Sequence, residues 1–261
     1  MTIWQSIVMG IVEGFTEFLP ISSTAHLILT GEILRIPSSE FLKTYNISIQ
    51  LGAILAVVVL YFRKILSSKN LILKILAAFI PTSILGLIFY KIVKNYLMES
   101  LGLIAITLFL GGIIIIIFEK RYKKKEDKIL LESEKVSYKQ AILIGIFQTI
   151  AMIPGVSRSA TTIITGLWLG LTRKTIVEFS FLLAIPTMAG ATFLDLIKSK
   201  DALLNLSSND INAWIVGFVL SFITAIIGVK FLLRFIQKND FISFAYYRIG
   251  LATLIALFLI L

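Results

Sequence analysis

The sequence predicts an all-α polytopic membrane protein: six transmembrane helices plus two re-entrant helix hairpins, arranged as an inverted-topology repeat. Three observations carry that expectation. Of 261 residues, 57% are hydrophobic and only 15% charged, more apolar surface than a water-soluble core of that length can hide. Six long apolar runs punctuate the chain, and two further apolar regions, broken by proline and hydroxyl residues, resemble each other.

Crossing about 30 Å of hydrocarbon takes roughly 20 helical residues. The runs Ile47 to Phe62, Leu71 to Val93, Leu101 to Phe118, Thr175 to Ile197, Ile211 to Ile236 and Phe241 to Leu261 are read as the spans. The opening run, Ile3 to Val12, is shorter and leads into Glu13, so it belongs to the folded protein rather than to a cleavable signal peptide. Residues 3–36 are interrupted by Pro20, Ser22, Ser23 and Thr24, and residues 137–172 by Pro154, Gly155 and Ser157. Irregular backbone at membrane depth survives only against protein or a water-filled cavity, so both breaks are expected to point inward, as tips of re-entrant pairs.

Sliding residues 5–31 onto 140–166 aligns nine identities in 27 positions, with Glu13 opposite Gln148. This reads as an internal duplication of about 1–118 and 137–261 within one membrane domain, joined by a basic loop, 119–136. A re-entrant pair returns to its own side and three spans follow, an odd number, so the second half is expected upside down. Lys120, Arg121, Lys123, Lys124, Lys125 and Lys128 form the densest basic stretch, with Arg63, Lys64, Lys69 and Arg234, Lys238 at alternate loops. Those loops are assigned to the cytoplasm, which puts both termini outside and lets the hairpin tips meet near the middle; Lys91 and Lys94, partly offset by Glu99, fall on the outer side.

Composition also excludes. Cysteine is absent and histidine occurs once, so disulfides, thiolate metal sites and multi-histidine centres are ruled out. The net charge of +10 lies mostly in short loops beside apolar runs, which suits anionic headgroups and topology rather than nucleic acid.

Charges inside the greasy hairpins are the chemical signal. Glu13 and Glu17 are four apart and share a helix face, and Arg158 stands in the other hairpin. Each such charge costs about 3 kcal/mol or more at membrane depth, and about 9 kcal/mol for the three rivals the stability of a domain. They must face a polar cavity or one another. A purely structural Glu13–Arg158 ion pair would leave Glu17 and the hydroxyls without a reason. If the chain is helical from Ser23, His26 lies one turn from Ser22 and Ser23 and within reach of a hydroxyl it could activate. In the second hairpin Gly155, Ser157, Arg158 and Ser159 stand at an expected helix N-terminus, where free N–H groups, dipole and a bidentate guanidinium suit a phosphate. Thr162 is counted with these phosphate-binding residues, and Ser22, Thr24, Gln50 and Gln148 are further cavity candidates. Arg173, Glu178 and Arg248 are read as interfacial anchors.

Glu13-x-x-x-Glu17, Ser22-Ser23-Thr24-x-His26 and the stretch Pro154 to Thr162, Pro-Gly-x-Ser-Arg-Ser-x-x-Thr, together resemble the bacitracin-resistance type of undecaprenyl-diphosphate phosphatase. The resemblance implies release of phosphate from undecaprenyl diphosphate for cell-wall assembly, at a plasma-membrane site open to the outer face. It also implies bacitracin resistance and dependence on a divalent cation. On that reading Arg158, Ser157 and Ser159 hold the terminal phosphate, and Ser23 or water attacks phosphorus. Glu17 and His26 handle protons, and Glu13, with Glu17, holds Mg2+ or Ca2+. The substrate partner is a polyprenyl diphosphate lipid, and a homodimer is left open. The rival reading is a secondary transporter or lipid flippase, since inverted repeats with broken helices build many of these.

Overall fold

The computed structural model describes residues 1–92, 100–126, 135–198 and 206–260, so Lys94, Glu99 and Lys128 lie outside the described residues. Among the described residues the regular secondary structure is helical: α1 (Ile3–Thr16), α2 (Ser23–Ile33), α3 (Glu40–Ser67), α4 (Lys69–Ile92), α5 (Leu101–Glu126), α6 (Tyr138–Gln148), α7 (Arg158–Trp168), α8 (Arg173–Lys198), α9 (Ser208–Phe235) and α10 (Ile242–Ile260). Six of them, α3, α4, α5, α8, α9 and α10, are long and apolar enough to cross a membrane, and they coincide with the six apolar runs. The other four, of 14, 11, 11 and 11 residues, are too short to span one.

Helix ends differ from the apolar runs wherever polar chemistry extends the helix. Ser39 caps α3 by accepting from the Leu42 N–H, and Lys43 pairs with Glu40 at 3.3 Å, so α3 begins seven residues before Ile47 (47 − 40). Further along the chain, α5 continues through Glu126, and the basic stretch expected as loop from residue 119 is helical for its first part. Lysine, arginine and glutamate are good helix formers, and Phe118 stacks on Tyr122 at 5.7 Å to support that turn. Charge density had marked a membrane exit; it does not mark a helix end.

The two short-helix pairs repeat the same local hydrogen bonds at the positions that the sequence aligns. Thr2 with Gln5, and Ser137 with Gln140, form capping boxes on α1 and α6. Gln5 Nε2 then donates to the Leu34 carbonyl at 3.1 Å, and Gln140 Nε2 to the Leu169 carbonyl at 3.0 Å, each across 29 positions. Both pairs finish alike, Ile36 N bonding to Gly31 O at 2.9 Å and Leu171 N to Gly166 O at 3.0 Å. Arg35 (φ 52°) and Gly170 (φ 81°) supply the left-handed residue that such a C-terminus needs.

The chain divides into two compact units. The first comprises Met1–Leu19, Ser23–Ser68 and Phe181–Leu232. Here α1 meets α9 at backbone distance: a Cβ on Gly10 would lie 2.5 Å from the Gly217 carbonyl oxygen, so only glycine fits. Hydroxyl bonds tie both helices to α3, with Ser6 Oγ of α1 2.8 Å from the Tyr45 hydroxyl and Ser221 Oγ of α9 donating to Ile49 O at 2.8 Å. Small residues and interhelical hydroxyl bonds are what pack helices in lipid, where no hydrophobic gain separates helix from acyl chain.

The second unit comprises Pro20–Ser22, Lys69–Ser180 and Leu233–Leu261. Within it α4 packs on α6, α5 on α10, and α6 on α7. Arg173, at the start of α8, holds fully buried Glu119 of α5 through two bonds of 2.6 and 2.7 Å, and the Phe241 N–H donates to the same carboxylate at 3.2 Å. The guanidinium also lies 5.0 Å from the Tyr122 ring and 5.4 Å from that of Phe241. Arg173 is thus committed to an ion pair with a buried carboxylate, a partner that its reading as an interfacial anchor did not include. Glu119→Ala strands the guanidinium and is expected to cost about 3–5 kcal/mol. A melting temperature in detergent equal to that of the parent protein would refute that role.

Candidate active site

In the first unit the acidic cluster sits at the end of α1. Glu17 prolongs the helix by donating its N–H to Glu13 O at 2.9 Å, so the two carboxylates stay one turn apart. Glu13 is fully buried and Glu17 is 6% exposed. The neighbouring Phe18, also fully buried, packs edge-on against Phe181 at 5.1 Å and anchors the turn that follows. Ser23 opens α2, and its Oγ donates to Glu17 Oε2 at 2.5 Å, a short charge-assisted bond. Ser22, with φ 72°, bends the chain back so that this serine faces the helix it has just left. Its left-handed backbone in a non-glycine residue is the strain that functional turns tend to store. His26 and Thr24 are half-buried on α2, with His26 three residues beyond Ser23; Gln50 is half-buried on α3.

In the second unit the hydroxyl and guanidinium cluster sits at the start of α7. Gly155 adopts φ 85°, and a Cβ there would overlap the Thr107 hydroxyl, so this residue must be glycine. Thr107 Oγ1 donates to the Pro154 carbonyl at 2.7 Å and holds the loop against α5. Ser157 caps α7 by accepting from the Ala160 N–H, and its Oγ lies 2.9 Å from that of Ser159. An anion at this helix start would meet N–H groups, two hydroxyls and the positive end of the helix dipole. Arg158 Nη1 donates to Ser180 O at 3.0 Å, while Thr162 Oγ1 lies 2.6 Å from the Ser180 hydroxyl. Thr162 is fully buried and spends its hydroxyl on Ser180 and on backbone carbonyls of its own helix. Thr162 and Arg158 thus meet at Ser180, one at its hydroxyl and the other at its carbonyl.

Hydrogen bonds thus join Glu17 to Ser23, Ser157 to Ser159, and Arg158 and Thr162 to Ser180. Gln148 is tied elsewhere, its Nε2 donating to Thr82 Oγ1 at 3.1 Å and fastening α6 to α4. Two residues escaped sequence reasoning. Ser180 gave no signal, since a lone serine within an apolar span is an ordinary helix-packing residue. Arg248 did give one. It is 1% exposed, and the default that flags intramembrane ionisable groups as functional applied to it as well as to Arg158.

Among the described residues no group of three or more His, Asp or Glu side chains gathers to form a metal cage. Two carboxylates one turn apart still match the way Mg2+ is usually held, through one or two protein carboxylates completed by substrate phosphate and water.

The sequence profile described as Bacitracin resistance protein BacA matches residues 6–254. A protein of Aquifex aeolicus named undecaprenyl-diphosphatase is 49% identical over 99% of both chains. One of Sulfurihydrogenibium sp. with the same name is 50% identical over 97% of this chain and 98% of its own. Another so named, from Methanococcus aeolicus, is 42% identical over the full length of both.

Proposed function

The chain belongs to the bacitracin resistance protein BacA family, and from that premise we propose that it hydrolyses undecaprenyl diphosphate to undecaprenyl phosphate and inorganic phosphate. The observation that carries the proposal is the Ser23–Glu17 bond, which presents a hydroxyl already hydrogen-bonded to a base. Recycling of a lipid carrier for cell-wall synthesis and resistance to bacitracin follow from that reaction.

Arg158 with Ser157, Ser159 and the N–H groups of Gly155 and the α7 start holds the terminal phosphate; Thr162 and Ser180 hold the guanidinium in place. Ser23 Oγ attacks phosphorus in line while its proton passes to Glu17. The bridging P–O bond breaks and undecaprenyl phosphate leaves, taking a proton from His26. Water then cleaves the Ser23–phosphate bond, its hydroxyl going to phosphorus and its proton to the serine oxygen, and the proton held by Glu17 passes through water to His26, which returns both groups to their starting states. Glu13 and Glu17 would hold a divalent cation, Mg2+ or Ca2+, which when bound neutralises diphosphate charge. Most of the rate enhancement comes from positioning and charge neutralisation, as in phosphoryl transfer generally.

The recurrence of the same capping and closing bonds in α1–α2 and α6–α7 supports reading them as related re-entrant hairpins of an inverted repeat. The basic loops then face the cytoplasm, both termini lie outside, and the site opens to the outer leaflet.

Purified protein in detergent is expected to release phosphate from undecaprenyl diphosphate. Excess EDTA should suppress the release and added Mg2+ or Ca2+ restore it, with Glu13→Gln shifting the restoration to higher metal concentration. Failure to release phosphate under any metal condition refutes the activity; full release in EDTA refutes the cation assignment alone.

A further inference from the structure

Arg248, the seventh of the nineteen residues of α10, is a buried charge that the mechanism above leaves unused. Its guanidinium is 1% exposed, and its hydrogen bonds run to main-chain carbonyls. Nη1 donates to Pro20 O at 3.2 Å and Nη2 to Gly155 O at 3.1 Å, while Nη2 and Nε reach Thr107 O at 3.3 Å and Leu108 O at 3.4 Å on α5. All four acceptors belong to the second unit. Pro20 and Gly155 are the two chain breaks: Ser23 follows three residues after the first, and Arg158 three residues after the second. Thr107, whose carbonyl Arg248 holds, in turn donates to Pro154 O at 2.7 Å.

A helix-breaking turn in hydrocarbon frees carbonyls that cost several kcal/mol each unless something donates to them. One arginine, with five donors on three nitrogens of a rigid fork, serves both turns and α5 at once, whereas a lysine has three donors on a single nitrogen. We propose that Arg248 is a positioning residue for the hydrolysis: it fixes the Pro20 and Gly155 turns against each other and against α5, and so sets where the Ser23 hydroxyl and the Arg158 guanidinium are presented. It does not touch substrate.

The inference rests on the site assigned above, so Arg158→Ala is measured beside it. Three variants test it, each assayed per folded molecule after size-exclusion chromatography: Arg248→Lys, which keeps the charge but loses the fork; Arg248→Met, which loses both; and Gly111→Ala, whose new methyl would press on Arg248 Nη2 without removing it. The expected result is a kcat at least about tenfold lower for both Arg248 variants and a smaller loss for Gly111→Ala, with KM within about threefold of the parent, because misplacing catalytic groups by an ångström costs rate rather than affinity. A parental kcat in Arg248→Lys overturns the proposal, and so does a raised KM at unchanged kcat, which would make Arg248 a substrate ligand. If neither Arg248 variant folds, Gly111→Ala decides: parental kcat overturns the proposal, and lowered kcat at unchanged KM supports it. Activity persisting in Arg158→Ala would instead overturn the underlying site.

Discussion

Arg158→Ala is expected to lower phosphate release by about 10³-fold or more, the loss seen when a guanidinium that neutralises a transferring phosphoryl group is removed. The melting temperature should stay near that of the parent protein, because Arg158 is half-buried and its loss removes one bond between α7 and α8, which Thr162 still joins at the Ser180 hydroxyl. Arg158→Lys should recover little, since an ammonium cannot make the planar two-point contact with phosphate oxygens. Steady-state kinetics on undecaprenyl diphosphate with an inorganic-phosphate readout measures this directly. A variant that keeps even a tenth of the parent activity would remove Arg158 from the reacting centre and leave the α7 cluster as helix capping.

Glu17→Gln is the second large effect. The amide keeps the shape and can still accept from Ser23 Oγ, but it can neither take the serine proton nor serve as a carboxylate for a cation. Loss of general-base action alone is worth about 10²–10⁴-fold. Ser23→Ala should be comparably inactive if the serine is the nucleophile. Rapid quench of the parent enzyme with substrate should then yield a phosphorylated peptide containing Ser23. Its absence at every quench time, with Ser23→Ala retaining substantial turnover, would transfer the attack to a water molecule activated by Glu17.

The pattern of these effects reflects what could be read without coordinates. The six spans were legible because a bilayer admits only long apolar helices here, and length and hydropathy alone pick them out. Glu13, Glu17 and Arg158 were legible for the converse reason: a charge in such a segment is too costly to be idle. Helix ends were read less well. The cap at Ser39 and the continuation of α5 to Glu126 depend on local polar bonds that hydropathy ignores. Arg248 shows the limit most sharply, since its sequence neighbourhood, two tyrosines and an apolar run, looks like a membrane interface, whereas its acceptors come from residues up to 228 positions away.

Taken alone, the sequence determined that this is a polytopic helical membrane protein of the BacA family, where the two breaks fall, and which residues are candidates for the chemistry. Those properties depend on composition, periodicity and motif, and each is local in the chain. Tertiary structure decided that Ser23 is the hydroxyl bonded to Glu17, that Arg158 and Thr162 meet at Ser180, and that Arg248 bonds to the turns at both breaks. Hydrogen bonds are directional and act over about 3 Å, so which groups they join is settled only once folding has placed residues remote in sequence within reach of one another.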